Sequence, residues 1–318
     1  MRDGERADST HARTLSALPV IGGRRAEGRR LPAVVRALRP LQWTKNGVIG
    51  AAVVFGHRLG DPESLARTIL AIVVFCALSS GVYLVNDVRD AASDRLHPLK
   101  RRRPIAAGEL RPTTALAVAG GLVLAAAVGG WLVRPAFLIV AAAYVVLMVG
   151  YTLGLKRLVI LDVFAIAAGF VLRAAAGAVA IDVAISPWLL VCTMLLALFL
   201  GFGKRRNELS TLAADAAAHR ANLDSYSIPL LDQLIGITAS ATVMAYAFYT
   251  FDAAAVPASH AMMLTIPIVT YAVFRYLYLV QGRGLGGSPE ALLFADRSLL
   301  ASIVVWGLAS IGILYLLG

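Results

Sequence analysis

The run Tyr83-Leu-Val-Asn86-Asp87-Val-Arg-Asp90-Ala-Ala-Ser-Asp94-Arg-Leu-His97-Pro98-Leu-Lys100-Arg101-Arg102-Arg103-Pro104 sets oxygen ligands beside a block of cations. If the apolar helix before it continues past Val85, Asn86, Asp90 and Asp94 fall at i, i+4 and i+8 on one face, with Asp87 one residue round. One helical turn rises about 5.4 Å, so neighbouring oxygens on that face can share one hard cation. Oxygen-only donors favour Mg²⁺, which keeps several waters and is usually completed by substrate phosphates. Lys100, Arg101 and Arg103 suit the same phosphates. The pattern is that of a diphosphate held through magnesium.

A charged helix end beside a basic loop is also what an ordinary cytoplasmic membrane boundary looks like. That reading accounts for the lysine and arginines but not for the carboxylates, since orientation needs none.

Other polar residues stand where lipid would reject them. Arg173 lies in the otherwise apolar run 164–180, so it must face a cavity or a partner: a phosphate, or a structural pair with an aspartate such as Asp162. Lys45, Lys156 and Tyr83 fall at the level of the acidic face and are expected to line the site, although a lysine there can equally be a snorkelling stem. After the sixth apolar run, Gly-Phe-Gly-Lys204-Arg205-Arg206-Asn207-Glu208-Leu mirrors the first motif, with Lys204 and Arg205 as phosphate contacts or, equally, Lys204 and Glu208 as a plain i, i+4 surface salt bridge. Asp215, His219, Arg220 and Asp224 follow. The Gly282–Gly287 cluster lacks the strand of a nucleotide loop and reads as a flexible connection.

The elements that must position these residues are membrane helices. The 318-residue chain is 58% hydrophobic and only 15% charged, with a mean hydropathy of +0.73. Apolar runs at 40–57, 66–86, 114–133, 135–153, 159–181, 186–203, 233–252, 261–280 and 297–317 predict an all-α, polytopic bundle of nine transmembrane helices. Lys45, Asn46 and His57 shorten the first. Residues 1–38, rich in Arg, Gly, Ala and Ser, read as a disordered basic extension without a signal-peptide core, and 39–318 as the transmembrane catalytic domain. The net charge of +11 is spread between apolar runs, which argues against nucleic acid as a partner. Cys76 and Cys192 both lie inside apolar runs and suggest neither a disulfide nor a metal site.

Lys and Arg concentrate in alternate loops. The bias places the N-terminus and the 86–103 stretch in the cytoplasm and the C-terminus outside, in the inner or plasma membrane. Polar residues cluster at one membrane face rather than at the midplane, which disfavours a lipid transporter.

The motif Asn86-Asp87-x-x-Asp90-x-x-x-Asp94, followed by His97-Pro98-x-Lys100-x-x-Arg103-Pro104-Ile105-Ala-Ala-Gly108, resembles the UbiA superfamily of intramembrane prenyltransferases, over nearly all of the chain after about residue 35. One departure stands out. The second aspartate-rich motif of that superfamily is replaced by Lys204-Arg205-Arg206-Asn207-Glu208. With Gln42-Trp43-Thr44-Lys45-Asn46, this is similar to the actinobacterial branch that acts on decaprenyl phosphate. The resemblance implies a UbiA-like bundle with a cytoplasm-facing polar cavity and Mg²⁺ as cofactor, held by Asn86 and Asp90. It implies Asp87, Asp90 and Asp94 as the catalytic carboxylates, Asp87 and Asp94 ligating through water or orienting the shell. It implies transfer of 5-phosphoribose from phosphoribosyl diphosphate to a polyprenyl phosphate lipid, for cell-wall arabinan. A second acidic cluster would repel a phosphate acceptor, so the cationic replacement is physically consistent. Intact second-motif aspartates would instead have favoured prenyl transfer to an aromatic acceptor. Association into a homo-oligomer stays open.

Overall fold

A computed structural model describes residues 31–97, 100–184, 186–212, 225–252, 256–257 and 259–317. Most of the N-terminal extension, and Asp215, His219, Arg220 and Asp224, lie outside the described residues. Every regular element among the described residues is helical.

The body from Ala33 onward starts with a short helix, α1 (Ala33–Leu38). Its position within the expected extension moves the boundary forward, because Ala37 is buried in an apolar cluster with Leu84, Ile105 and Leu110. A left-handed turn at Arg39 (φ 57°) then leads into a 3-10 segment, Pro40–Gly50, and α2 (Ala51–Phe55). The first of the nine predicted spans is therefore not one long α-helix. Among the described residues eight helices are long and apolar enough to cross a membrane, and they make this an integral membrane protein.

The first of the eight is α3 (Pro62–Arg89), capped by Asp61, whose carboxylate accepts from the Glu63 N–H at 3.2 Å and from the Ser64 hydroxyl at 2.6 Å. A six-residue helix, α4 (Ala91–Leu96), continues it with a break at Asp90. Next come α5 (Pro112–Val133) and α6 (Pro135–Leu153), joined by Arg134 alone, as the sequence led one to expect. They are followed by α7 (Leu161–Ile181), α8 (Pro187–Leu212), α9 (Ile228–Asp252) and α10 (Ile266–Leu277), which a 3-10 segment before it and a π turn after it extend to a span of Ala261–Gly282. The chain ends with the short α11 (Pro289–Ala295) and α12 (Arg297–Leu316).

Two apolar cores hold the bundle, and α7 belongs to both. Ala176, Ala178 and Ala180 pack into a core with Ile49, Phe75, Phe137 and Tyr144. Val163 and Ala167, nearer the start of the same helix, pack with Phe199, Phe202, Leu231 and Tyr276. Small residues let helices approach closely where lipid gives no hydrophobic drive to association. At Gly177 an added Cβ would lie 2.2 Å from the Ile49 carbonyl oxygen, so only glycine admits the 3-10 segment there. This close approach lays the residues after Pro40 against α7, where Arg173 can reach them.

Candidate active site

The acidic run splits by burial into two pairs. The helical register survives the break, since the Asp90 N–H donates to the Asn86 carbonyl at 2.9 Å and the Asp94 N–H to the Asp90 carbonyl at 2.8 Å. Asp87 and Asp94 are nonetheless buried, and Arg103 bridges them from one nitrogen, at 3.0 Å and 2.7 Å. Arg39 adds a contact to Asp87 at 2.5 Å while its guanidinium lies 4.8 Å from the centre of the Tyr83 ring. Asn86 and Asp90 are only partly buried, and the Asp90 side chain is 27% exposed. Lys156, from the turn after α6, donates to both Asp90 oxygens at 3.1 Å and 2.9 Å. A buried carboxylate must be paired to stay charged, so Arg103 is committed to holding Asp87 and Asp94.

In the basic loop, Lys100–Arg102 forms a single 3-10 turn, with the Lys100 N–H donating to the His97 ring at 3.3 Å. Arg101 is exposed. The difference between neighbouring arginines is testable. Arg103→Ala is expected to destabilise the protein by about 1–3 kcal/mol by leaving buried carboxylate oxygens unsatisfied. Arg101→Ala should change stability by less than about 0.5 kcal/mol. Detergent unfolding curves of the two variants make the comparison.

Arg173 is buried and takes its hydrogen bonds from neutral partners. Its Nε donates to the Asn46 side-chain oxygen at 2.8 Å, and its other nitrogens to the Gly169 carbonyl at 2.9 Å and the Tyr144 hydroxyl at 2.8 Å. The rings of Tyr144 and Phe170 flank the guanidinium at 4.7 Å and 5.3 Å. The aspartate suggested as its structural partner, Asp162, is engaged elsewhere. Arg205 donates from Nε to Asp162 at 2.7 Å and reaches Glu208 at 2.5 Å, while the Tyr226 hydroxyl donates to Asp162 at 2.8 Å. Burial raises the Tyr226 hydroxyl above its ordinary range, and its hydrogen bond to Asp162 raises it further, so it stays a proton donor. Glu208 thus pairs with Arg205 rather than with Lys204. Lys204, on the same turn of α8, interacts electrostatically with Glu208, Lys45 and Glu290. Arg206 is drawn away to Asp232 at 2.6 Å.

Two participants escaped the sequence reading. Arg39 was lost in a run of N-terminal arginines. Glu290 looked like an ordinary helix-start residue behind Ser288-Pro289, yet it contacts the Lys45 ammonium at 2.7 Å. Burial pushes its carboxyl up, but Lys45 beside it and the Ser288 hydroxyl more than offset that and hold it at about 2. A folded value below the ordinary one stabilises the fold above the unfolded-state value. The pair is therefore intact at neutral pH, and its contribution is lost only as pH falls towards about 2.

Among the described residues no three His, Cys, Asp or Glu side chains converge on one metal position. Asn86 and Asp90 offer an amide oxygen and a carboxylate one turn apart. That donor set suits magnesium delivered with a diphosphate, which needs one or two protein oxygens and takes the rest from phosphate and water.

Residues 47–296 match the UbiA prenyltransferase family. A protein of Mycobacterium tuberculosis named decaprenyl-phosphate phosphoribosyltransferase is 36% identical over 283 residues, covering 88% of this chain and 93% of its own. One of the same name from Mycolicibacterium smegmatis is 35% identical over 285 residues, covering 86% and 89%. A UbiA homolog from Archaeoglobus fulgidus, solved with GPP and Mg²⁺, superposes with a TM-score of 0.69 at 17% identity, over 88% of this chain and all of that one.

Proposed function

The chain belongs to the UbiA prenyltransferase family, and on that premise we propose that it transfers 5-phosphoribose from phosphoribosyl diphosphate to the phosphate of a long polyprenyl lipid such as decaprenyl phosphate. Pyrophosphate leaves, and the product is a lipid-linked pentose for cell-wall arabinan. The observation that carries this reading is the asymmetry of the site. One pole offers Asn86 and the half-open Asp90, while the pole at α8 offers cations where a second acidic pole would serve a metal.

The donor's diphosphate sits at the first pole. Magnesium held there by Asn86 and Asp90 would neutralise the diphosphate and stabilise the charge of the departing pyrophosphate. Lys156 already faces Asp90 and donates to the diphosphate oxygens, while Lys100 and Arg101 meet the outer phosphates. Asp87 and Asp94, held by Arg103, keep Asn86 and Asp90 in register by fixing the break between α3 and α4. Arg173 acts through Asn46, setting the 3-10 segment so that Lys45 projects from it beside Lys204. These two lysines receive a phosphate monoester, that of the acceptor or the 5-phosphate of the donor. The bond from ribose C1 to the pyrophosphate oxygen breaks as one forms from C1 to an acceptor phosphate oxygen. The acceptor is already an anion near neutral pH, so no general base is required.

The chemistry faces the cytoplasm, where phosphorylated sugars and magnesium are found, and the apolar tail remains in the bilayer. Purified protein with phosphoribosyl diphosphate, polyprenyl phosphate and Mg²⁺ should release pyrophosphate and form a phosphoribosyl lipid. Turnover of a prenyl diphosphate with an aromatic acceptor, and none with the pentose donor, would replace this reading with aromatic prenylation.

A further inference from the structure

Glu290 is a carboxylate placed among cations by a segment that crosses no membrane. Its Oε1 meets Lys45 Nζ at 2.7 Å, and its Oε2 accepts from the Ser288 hydroxyl at 2.9 Å. The two charged side chains are 26% and 18% exposed, so the pair borders open space. The same carboxylate acts electrostatically on Lys204 of α8. Lys204 itself has no ion pair or hydrogen bond among the described residues.

The segment that delivers Glu290 is tethered at its ends. Before it, the Asn207 side chain donates to the Gly284 carbonyl, at a glycine with φ +66°. After it, Asp296 caps α12 and pairs with Arg275 at 2.7 Å. Between the tethers α11 has seven residues, of which Leu292 alone is buried.

We propose that Glu290 is an internal counter-anion that stands in the place of a phosphate monoester: it holds Lys45, and a substrate phosphate must displace it. The proposal rests on the reading that this site takes phosphorylated substrates, and it deepens that reading by assigning a specificity-determining residue. An ammonium that donates to a carboxylate oxygen at 2.7 Å donates to a phosphate oxygen equally well. The phosphate carries more charge and reaches both lysines, which lets it win the exchange. A neutral lipid or an unphosphorylated sugar cannot, and Lys45 stays latched.

Two phosphate monoesters are available, that of the polyprenyl acceptor and the 5-phosphate of the donor. Binding of ribose 5-phosphate and of a short-chain polyprenyl phosphate to purified wild-type protein and Glu290→Gln distinguishes them without turnover. Removing a competing internal state raises apparent affinity by the inverse of the fraction left competent, so a latch closed about 80–90% of the time gives about five- to tenfold. One of the two probes is expected to bind Glu290→Gln more tightly by that factor, and which one identifies the displacing phosphate. Glu290→Asp, which keeps the charge, should bind neither probe more tightly than wild type. Unchanged or weaker binding of both probes by a folded Glu290→Gln overturns the counter-anion role. Failure of wild type to bind either probe overturns instead the reading that the site takes phosphorylated substrates.

Discussion

Asp90→Ala is expected to cut turnover about a thousandfold while leaving the protein folded. Asp90 is the half-open carboxylate of the acidic run, and it takes its hydrogen bonds from the long, flexible side chain of Lys156 rather than from a buried arginine. Losing it costs the diphosphate a metal ligand, and each ten-fold in rate corresponds to about 1.4 kcal/mol, so roughly 4 kcal/mol of transition-state stabilisation is at stake. Steady-state release of pyrophosphate at limiting Mg²⁺, paired with an unfolding curve, is the measurement. The companion change Asp87→Ala should show the opposite balance. It strips a buried partner from both Arg39 and Arg103 and so lowers the unfolding temperature first. A folded Asp90→Ala protein with normal turnover at limiting Mg²⁺ would remove Asp90 from the metal site.

The largest stability effect is expected at Arg205. Its side chain is 4% exposed and faces the fully buried Asp162, with Glu208 and Tyr226 completing the network. Arg205→Met takes the guanidinium away from the Asp162 charge and leaves the Tyr226 hydroxyl to help hold it. Breaking a buried pair from one side typically costs about 3–5 kcal/mol. Replacing both members, as Arg205→Met with Asp162→Leu, should recover much of that loss, because apolar packing removes the stranded charge. Thermal unfolding of the single and double variants in one detergent tests both statements. If Arg205→Met unfolds like wild type and loses affinity only for the pentose donor, the arginine serves substrate after all.

The bundle was legible because membrane helices announce themselves by length and composition: eight of the nine expected runs appear as long helices with similar bounds. The stretch around Lys45 differed, since hydropathy alone does not distinguish a 3-10 winding from an α-helix. Spacing along α3 correctly put Asn86, Asp90 and Asp94 in helical register. It could not say which carboxylates would be buried, as that depends on Arg103 and Arg39 arriving from other parts of the chain. The same limit explains Arg205 and Arg173. Arg173 stands alone in apolar sequence and Arg205 in a basic run, and only the folded neighbourhood shows that Arg205 meets a carboxylate and Arg173 an amide, a carbonyl and a phenol. Glu290 was hidden for a different reason. Its sequence neighbourhood had a sufficient local explanation, and a pairing 245 residues away from Lys45 leaves no trace in spacing.

The 3-10 winding of Pro40–Gly50 changes the reach of its chain. A 3-10 helix advances about 2.0 Å per residue, against about 1.5 Å for an α-helix, so these residues extend about 5 Å further than an α-helix of equal length. Three residues per turn also set the side chains in straight files. Trp43, Asn46 and Ile49 form one file, tied in turn to Ser80, to Arg173 and to the apolar core. Gln42, Lys45 and Val48 form the next. Rewinding the segment as α-helix would draw Lys45 inward along the axis and swing it out of line with the file that anchors it, so the overwound geometry acts as a ruler for where that ammonium stands.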